Sequence, residues 1–174
     1  MKSIRPPRPL LSVLSVLLSI LVFAAVTPAS EPYEKLYPLF PDLPGWEADA
    51  PQGMSMSANG QKATTASRTY QAEGKSFTVT VLKGYGTGAV AGAYQDVQLE
   101  TDEVSVTSGE MRGFRIFQTW QKKENSGNLL VSLAGENTDE ILNFDYTGMS
   151  RDEAMPLIDR FDWKAIAQTT RELP

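Results

Sequence analysis

The chain predicts an α+β domain, a single antiparallel β-sheet of about six to seven strands packed with two main helices. Apolar and polar residues alternate over short runs from residue 64 onward, the period-two signature of strands with one buried face. Joints such as Glu124-Asn125-Ser126-Gly127 and Gly135-Glu136-Asn137-Thr138-Asp139 are rich in turn residues and too short for a crossover helix, so neighbouring strands run antiparallel. Two segments, 88–99 and 150–161, carry apolar residues at helical spacing instead.

The first thirty residues stand apart from that domain. Residues 10–26 form one uncharged apolar run, preceded by Lys2, Arg5 and Arg8 and followed by Thr27-Pro28-Ala29-Ser30. A basic start, an apolar centre and small residues at the end are the layout of a secretory signal peptide. Cleavage is expected before Ser30, giving a signal at 1–29 and a single exported domain at 30–174. The competing reading is an uncleaved anchor, since the run would rise about 25 Å as a helix against a hydrocarbon core of about 30 Å. The chain has no cysteine for lipoprotein acylation, and Arg5 and Arg8 flank prolines rather than forming a twin-arginine pair. Export by the general route to a periplasm or the medium follows.

Along the exported part, Tyr33, Leu36, Tyr37 and Phe40 have helical spacing, but Pro38 limits them to a short helix before an extended lead-in to Trp46. Residues 51–65 show no period and read as a loop. Thr64–Tyr70 and a strand carrying Phe77, Val79 and Val81 flank the turn Ala72-Glu73-Gly74-Lys75 as a hairpin. After the helix 88–99 come strands at 103–107, 113–121, 128–134 and 140–146. In the closing helix Ala154, Leu157, Ile158 and Phe161 share a face, Ser150 and Glu153 make a capping box, and Pro156 kinks it or falls in its first turns. Trp163 and Ile166 pack beside it, and 167–174 should fray.

The chemistry is bounded by what is missing. With no His and no Cys, the Ser-His-Asp triad, the Cys-His pair, the imidazole base and the Cys/His zinc site all lack their side chains. No Ser-x-x-Lys signature occurs. The run from Lys83 to Gly92 holds Gly84-x-Gly86-x-x-Ala89, a loose dinucleotide fingerprint, but the strand before it alternates and the joints after it are hairpins; small residues that let a helix cross the sheet explain it better. Met54 and Met56 are too few to hold Cu(I) and read as apolar residues of an edge segment. The acidic groups Asp96, Glu100, Asp102 and Glu103, and Glu136, Asp139 and Glu140, sit at helix ends and turns, where solvated charge is the ordinary state. No cofactor or metal is implied. The net charge of −5, deepening to −8 once Lys2, Arg5 and Arg8 leave with the signal, argues against nucleic acid and anionic lipid.

If Phe77, Val79, Phe114, Ile116, Trp120, Val131, Leu133, Leu142 and Phe144 face the core, the other side of the sheet presents Thr78, Thr80, Leu82, Phe117, Thr119, Leu130, Ser132, Ile141 and Asn143. This set is too apolar for a solvated face and too polar for a deep core. Cover by the mid-chain helix or the proline-rich lead-in is expected; otherwise Leu82, Phe117, Thr119, Leu130 and Ile141 form an interaction face.

From Trp46 to Ile166 the order of elements, with pieces such as Leu43-Pro44-Gly45-Trp46 and Gly148-Met149-Ser150-x-Asp152-Glu153, resembles the Mog1/PsbP-like α+β layout. That resemblance implies an accessory or binding role and carries over no functional residue. The expected function is a non-catalytic exported domain that binds an envelope protein partner or a small ligand. The alternatives are a carboxylate enzyme or metal binder near the glycine turn, and an envelope structural protein held to the membrane by an uncleaved N-terminal segment.

Overall fold

The computed structural model describes residues 31–84, 97–135 and 137–174. The proposed signal at 1–29 and nearly all of the glycine turn and of the helix expected over 88–99 lie outside them. The described chain opens with a 3₁₀ helix, Pro32–Leu39, and continues into nine strands: β1 Glu47–Ala48, β2 Gln52–Ala58, β3 Gln61–Ala72, β4 Lys75–Gly84, β5 Gln98–Glu100, β6 Val104–Met111, β7 Phe114–Gln121, β8 Ser126–Ala134 and β9 Asn137–Thr147. Helices α1, Arg151–Ile158, and α2, Trp163–Arg171, end it. All strands belong to one antiparallel sheet in the order β1-β3-β4-β9-β8-β7-β6-β5, with β2 also on β3.

The expectation of six to seven strands with two main helices is therefore corrected to nine strands and three short helices among the described residues. Two local causes account for it. The stretch read as a loop is a hairpin: Asn59 (φ 53°) and Gly60 (φ 77°) are both left-handed, the requirement of a two-residue type I′ turn, and they fold β2 back on β3. At the far edge Gln98–Glu100, the end of the expected mid-chain helix, pairs with β6 as a strand. The C-terminal stretch expected to fray is instead α2. Asp162 Oδ1 accepts from the amides of Lys164 and Ala165 at its start, and Trp163, Ile166, Ala167 and Thr170 are buried along one face.

β1 and β2 are one edge strand interrupted by a bulge. Ala48 pairs with Tyr70 but Gln52 with Ser67, so one extra residue is accommodated across Asp49–Pro51. Since side chains alternate, that residue reverses which faces the following positions occupy. Ala48 lies over the core, whereas Met54 and Met56 point to the opposite side.

All three helices and the lead-in cover the same side of the sheet. Leu36, Phe40 and Leu43 join Phe77, Val79, Val81, Leu129, Val131, Leu142, Phe144, Ile158, Phe161, Trp163 and Ile166 in one buried cluster. Phe161 is its hub, with ring centroids 6.2 Å from Tyr70, 6.0 Å from Phe77 and 5.4 Å from Phe144. Arg68 fastens the lead-in, donating to Phe40 O (2.7 Å), Asp49 O (2.9 Å) and Asp42 Oδ1 (2.7 Å). Beside it the Tyr70 hydroxyl donates to Pro41 O at 2.9 Å, and burial pushes its pKa up to about 12.

The expected capping box is present in α1, with Ser150 N donating to Glu153 Oε2 at 2.9 Å and Glu153 N to Ser150 Oγ at 3.3 Å. Lys75, the first residue of β4, donates to the same carboxylate at 2.9 Å, joining sheet to helix. The Ser150 amide, first, and then Lys75 lower the Glu153 pKa from 4.5 to about 2. A depressed carboxylate contributes stability that is present above its unfolded pKa and is lost as pH falls through the folded one. Urea midpoints of the native chain should therefore drop between pH 4.5 and 2, and Glu153→Gln should flatten that drop; an unchanged slope would remove Glu153 from the acid response.

Candidate functional site

The hydrogen-bond register settles which residues share the face opposite the helices. Thr65 pairs with Leu82, Leu82 with Ile141 and Ile141 with Ser132; one row along, Asn143 pairs with Leu130 and Leu130 with Phe117; in the next, Asn128 pairs with Thr119, Thr119 with Val106 and Val106 with Leu99. Leu82, Phe117, Thr119, Leu130 and Ile141, singled out from alternation alone, thus lie on one surface, across β4, β9, β8 and β7. Among the described residues no helix crosses it, and the lead-in expected to cover it packs on the core side instead.

The apolar residues of this face form a diagonal band, because each successive pair is offset along the strands. It runs from Met54 and Met56 on β2, through Leu82 and Ile141, then Leu130 and Phe117, to Val106 and Leu99 at the far edge. Ile141 is buried at 2% exposure, and Leu82, Leu130, Phe117 and Thr119 are half-buried. The exposed apolar side chains sit at the margins, Met54 (56%) and Met56 (52%) on one side and Leu99 (49%) on the other. The alternation that places the central residues on this face is legible in the sequence, but the membership of Met54 and Met56 is not, because it depends on the bulge.

Polar residues flank the band. Asn128 Nδ2 donates to Asp145 Oδ1 at 2.7 Å and also to Asn143, while Thr69 and Thr78 hydroxyls lie 3.1 Å apart. A side chain landing here meets a fixed set of amides and hydroxyls beside an apolar strip.

Among the described residues, the carboxylates considered for catalysis or metal binding do not converge. Glu100 pairs with Lys122, Glu103 with Lys123, and Glu140 lies 3.6 Å from Lys83 at the other end of the sheet. Lys122 is also what chiefly lowers the Glu100 pKa, through a hydrogen bond. Asp96 and Glu136 fall outside the described residues, and Asp139 is exposed. Among the described residues no group of three acidic side chains is placed to hold a metal ion, and no helix is long and apolar enough to cross a membrane. A hollow of 760 Å³ beside the β3–β4 turn, lined by Trp46, Glu47, Glu73 and Lys75, is open, and both of its carboxylates are exposed.

On the core side lies one polar group that no local pattern points to. Trp120, Gly127 and Tyr146 form a row across β7, β8 and β9, and Gln118 lies beside Tyr146. The tyrosine ring lies over Gly127, where any Cβ would overlap its hydroxyl, and burial raises its pKa to about 12. Gln118 Nε2, Trp120 Nε1 and the Tyr146 hydroxyl are buried here without a hydrogen-bond partner among the described residues, a cost that the surrounding packing must offset.

Compared with known proteins, the chain matches no family model, no curated protein and no solved structure.

Proposed function

We propose that this chain is a non-catalytic exported binding domain that holds a protein partner against the face of its sheet opposite the described helices. The observation that carries the reading is the diagonal band Met54, Leu82, Ile141, Leu130, Phe117 and Leu99, continuous from one edge of the sheet to the other and bordered by the Asn128–Asn143–Asp145 network. A broad strip with apolar residues in the middle and hydrogen-bonding groups beside it has the anatomy of a protein interface rather than of a small-molecule cleft. Export follows from residues 1–29, and the resemblance to the Mog1/PsbP-like layout supports an accessory role.

The test is quantitative capture from envelope extracts with the full chain as bait. Phe117→Lys puts a charge on the band next to Leu130 while leaving the core side intact. It should weaken capture by about tenfold or more, as loss of an aromatic anchor does. The folded state should lose no more than about 1 kcal/mol, the scale of a cross-strand pair. Capture equal to that of the native chain would contradict the reading.

A further inference from the structure

The two edges of the sheet are unlike. β5 is three residues long, ends in Glu100 and is followed by Asp102 and Glu103, a guarded edge. β2 is seven residues, Gln52-Gly53-Met54-Ser55-Met56-Ser57-Ala58, without charge or proline, and among the described residues no strand pairs with its outer side. Unguarded edges of this length are templates for a further strand.

The pairing on the inner side determines what the outer side offers. A two-residue type I′ turn makes its flanking residues, Ala58 and Gln61, a hydrogen-bonded pair. Alternation then commits the backbone groups of Met56 and Met54 to β3, and turns those of Gly53, Ser55 and Ser57 outward. The sequence is symmetric about Ser55, with Met54 and Met56 on either side and the small residues Gly53 and Ser57 beyond them.

We infer that β2 pairs antiparallel with β2 of a second copy of this chain about a two-fold axis at Ser55. Ser55 then faces Ser55 of the second copy and Gly53 faces Ser57, each pair exchanging its outward N–H and C=O groups. Met54 of one copy lies opposite Met56 of the other in the non-hydrogen-bonded positions, where side chains approach most closely. Those methionines are on the face opposite the described helices, so the contact covers the most exposed large apolar side chains among the described residues and joins the two diagonal bands into one. A two-fold contact of this kind closes on itself and leaves the guarded β5 edges outermost. The inference is independent of what the face opposite the described helices binds.

The chain contains no cysteine, so a single introduced thiol reads the register directly. In a hydrogen-bonded antiparallel pair the Cα atoms are about 5.5 Å apart, inside the range a disulfide spans. The full chain carrying Ser55→Cys, oxidised with diamide and run on a non-reducing gel, should form a covalent dimer. Ser57→Cys, whose thiols the two-fold axis holds some four residues apart along the strands, should give about tenfold less. Ser55→Pro removes an outward N–H and the side-chain contact with Thr64 while leaving the backbone bonds to β3 in place, and should lower the sedimentation weight-average mass toward that of the monomer with an unchanged circular dichroism spectrum. Equal cross-linking at the two sites, cross-linking at neither, or a Ser55→Cys adduct of another mass would each overturn the inference, the last by giving the edge to a different protein.

Discussion

Replacing Lys83 by methionine is expected to destabilise the fold by about 3–5 kcal/mol, the scale of breaking a largely buried charged pair from one side. Lys83 leaves the end of β4 and places its ammonium under the C-terminus of α2, donating to the carbonyls of Thr170 (2.9 Å), Arg171 (3.1 Å) and Leu173 (2.7 Å). These carbonyls lie in the last turn of α2 and just beyond it, where Thr170 O also accepts from the Leu173 amide (3.1 Å), and a cation there opposes the negative end of the helix dipole. Glu140, buried at 8% exposure, faces the same ammonium across β4 and β9 at 3.6 Å. The thermal or urea transition of Lys83→Met should shift by that amount. Adding Glu140→Gln should recover part of the loss, because it removes the carboxylate that the first change leaves uncompensated. A double variant as unstable as the sum of both singles would show that the two side chains do not act together.

The second large effect is expected at Phe161. Truncation to alanine should cost about 3–5 kcal/mol, the range for a phenylalanine lost from a close-packed core. Its ring bridges the join between α1 and α2 to Tyr70 on β3, Phe77 on β4 and Phe144 on β9, and the edge-on contacts with Tyr70 and Phe144 add to the area buried. Phe161→Leu keeps most of the volume and should retain the larger part of the stability. If alanine cost under about 1 kcal/mol, the range of a surface change, the helices could not be packed on this side of the sheet as described.

What was legible follows from locality. Alternation in Phe77, Val79, Val81 and in Leu129, Val131, Leu133 identifies a strand and its buried side without any knowledge of its neighbours, because period two is a property of the strand itself. The division of the sheet into two faces, including the five positions from Leu82 to Ile141, came from the same signal. The capping box at Ser150 and Glu153 is likewise local, and the structure contains it.

The corrections have two kinds of cause. Asn59-Gly60 is among the strongest hairpin signals, but Met-Ser-Met-Ser on one side of it carries little strand propensity, so composition points to a loop where the turn points to a hairpin. The α2 helix was also present in the sequence, as Asp162 ahead of Trp163, Ile166, Ala167 and Thr170 at helical spacing; Leu173, taken for a frayed end, is buried. Other features are not local at all. The bulge at Asp49–Pro51 sets the face of Met54 and Met56, and it exists only as a slip between two pairings with β3. Lys83 finds the end of α2 across 87 to 90 residues of chain, a distance at which no spacing rule operates. The side of the sheet on which the lead-in packs is decided by Arg68 and Tyr70 reaching Phe40 and Pro41, again contacts between distant segments.

Helices and lead-in close one side of the sheet, and the proposed partner meets the other. Incorporating a photo-reactive amino acid at single positions of the full chain in living cells tests this arrangement most directly. Probes at Phe117 and Thr119 should yield one discrete cross-linked species, while probes at the exposed positions Lys164 and Gln168 on α2 should not. The same species arising from α2 and not from Phe117 or Thr119 would contradict it.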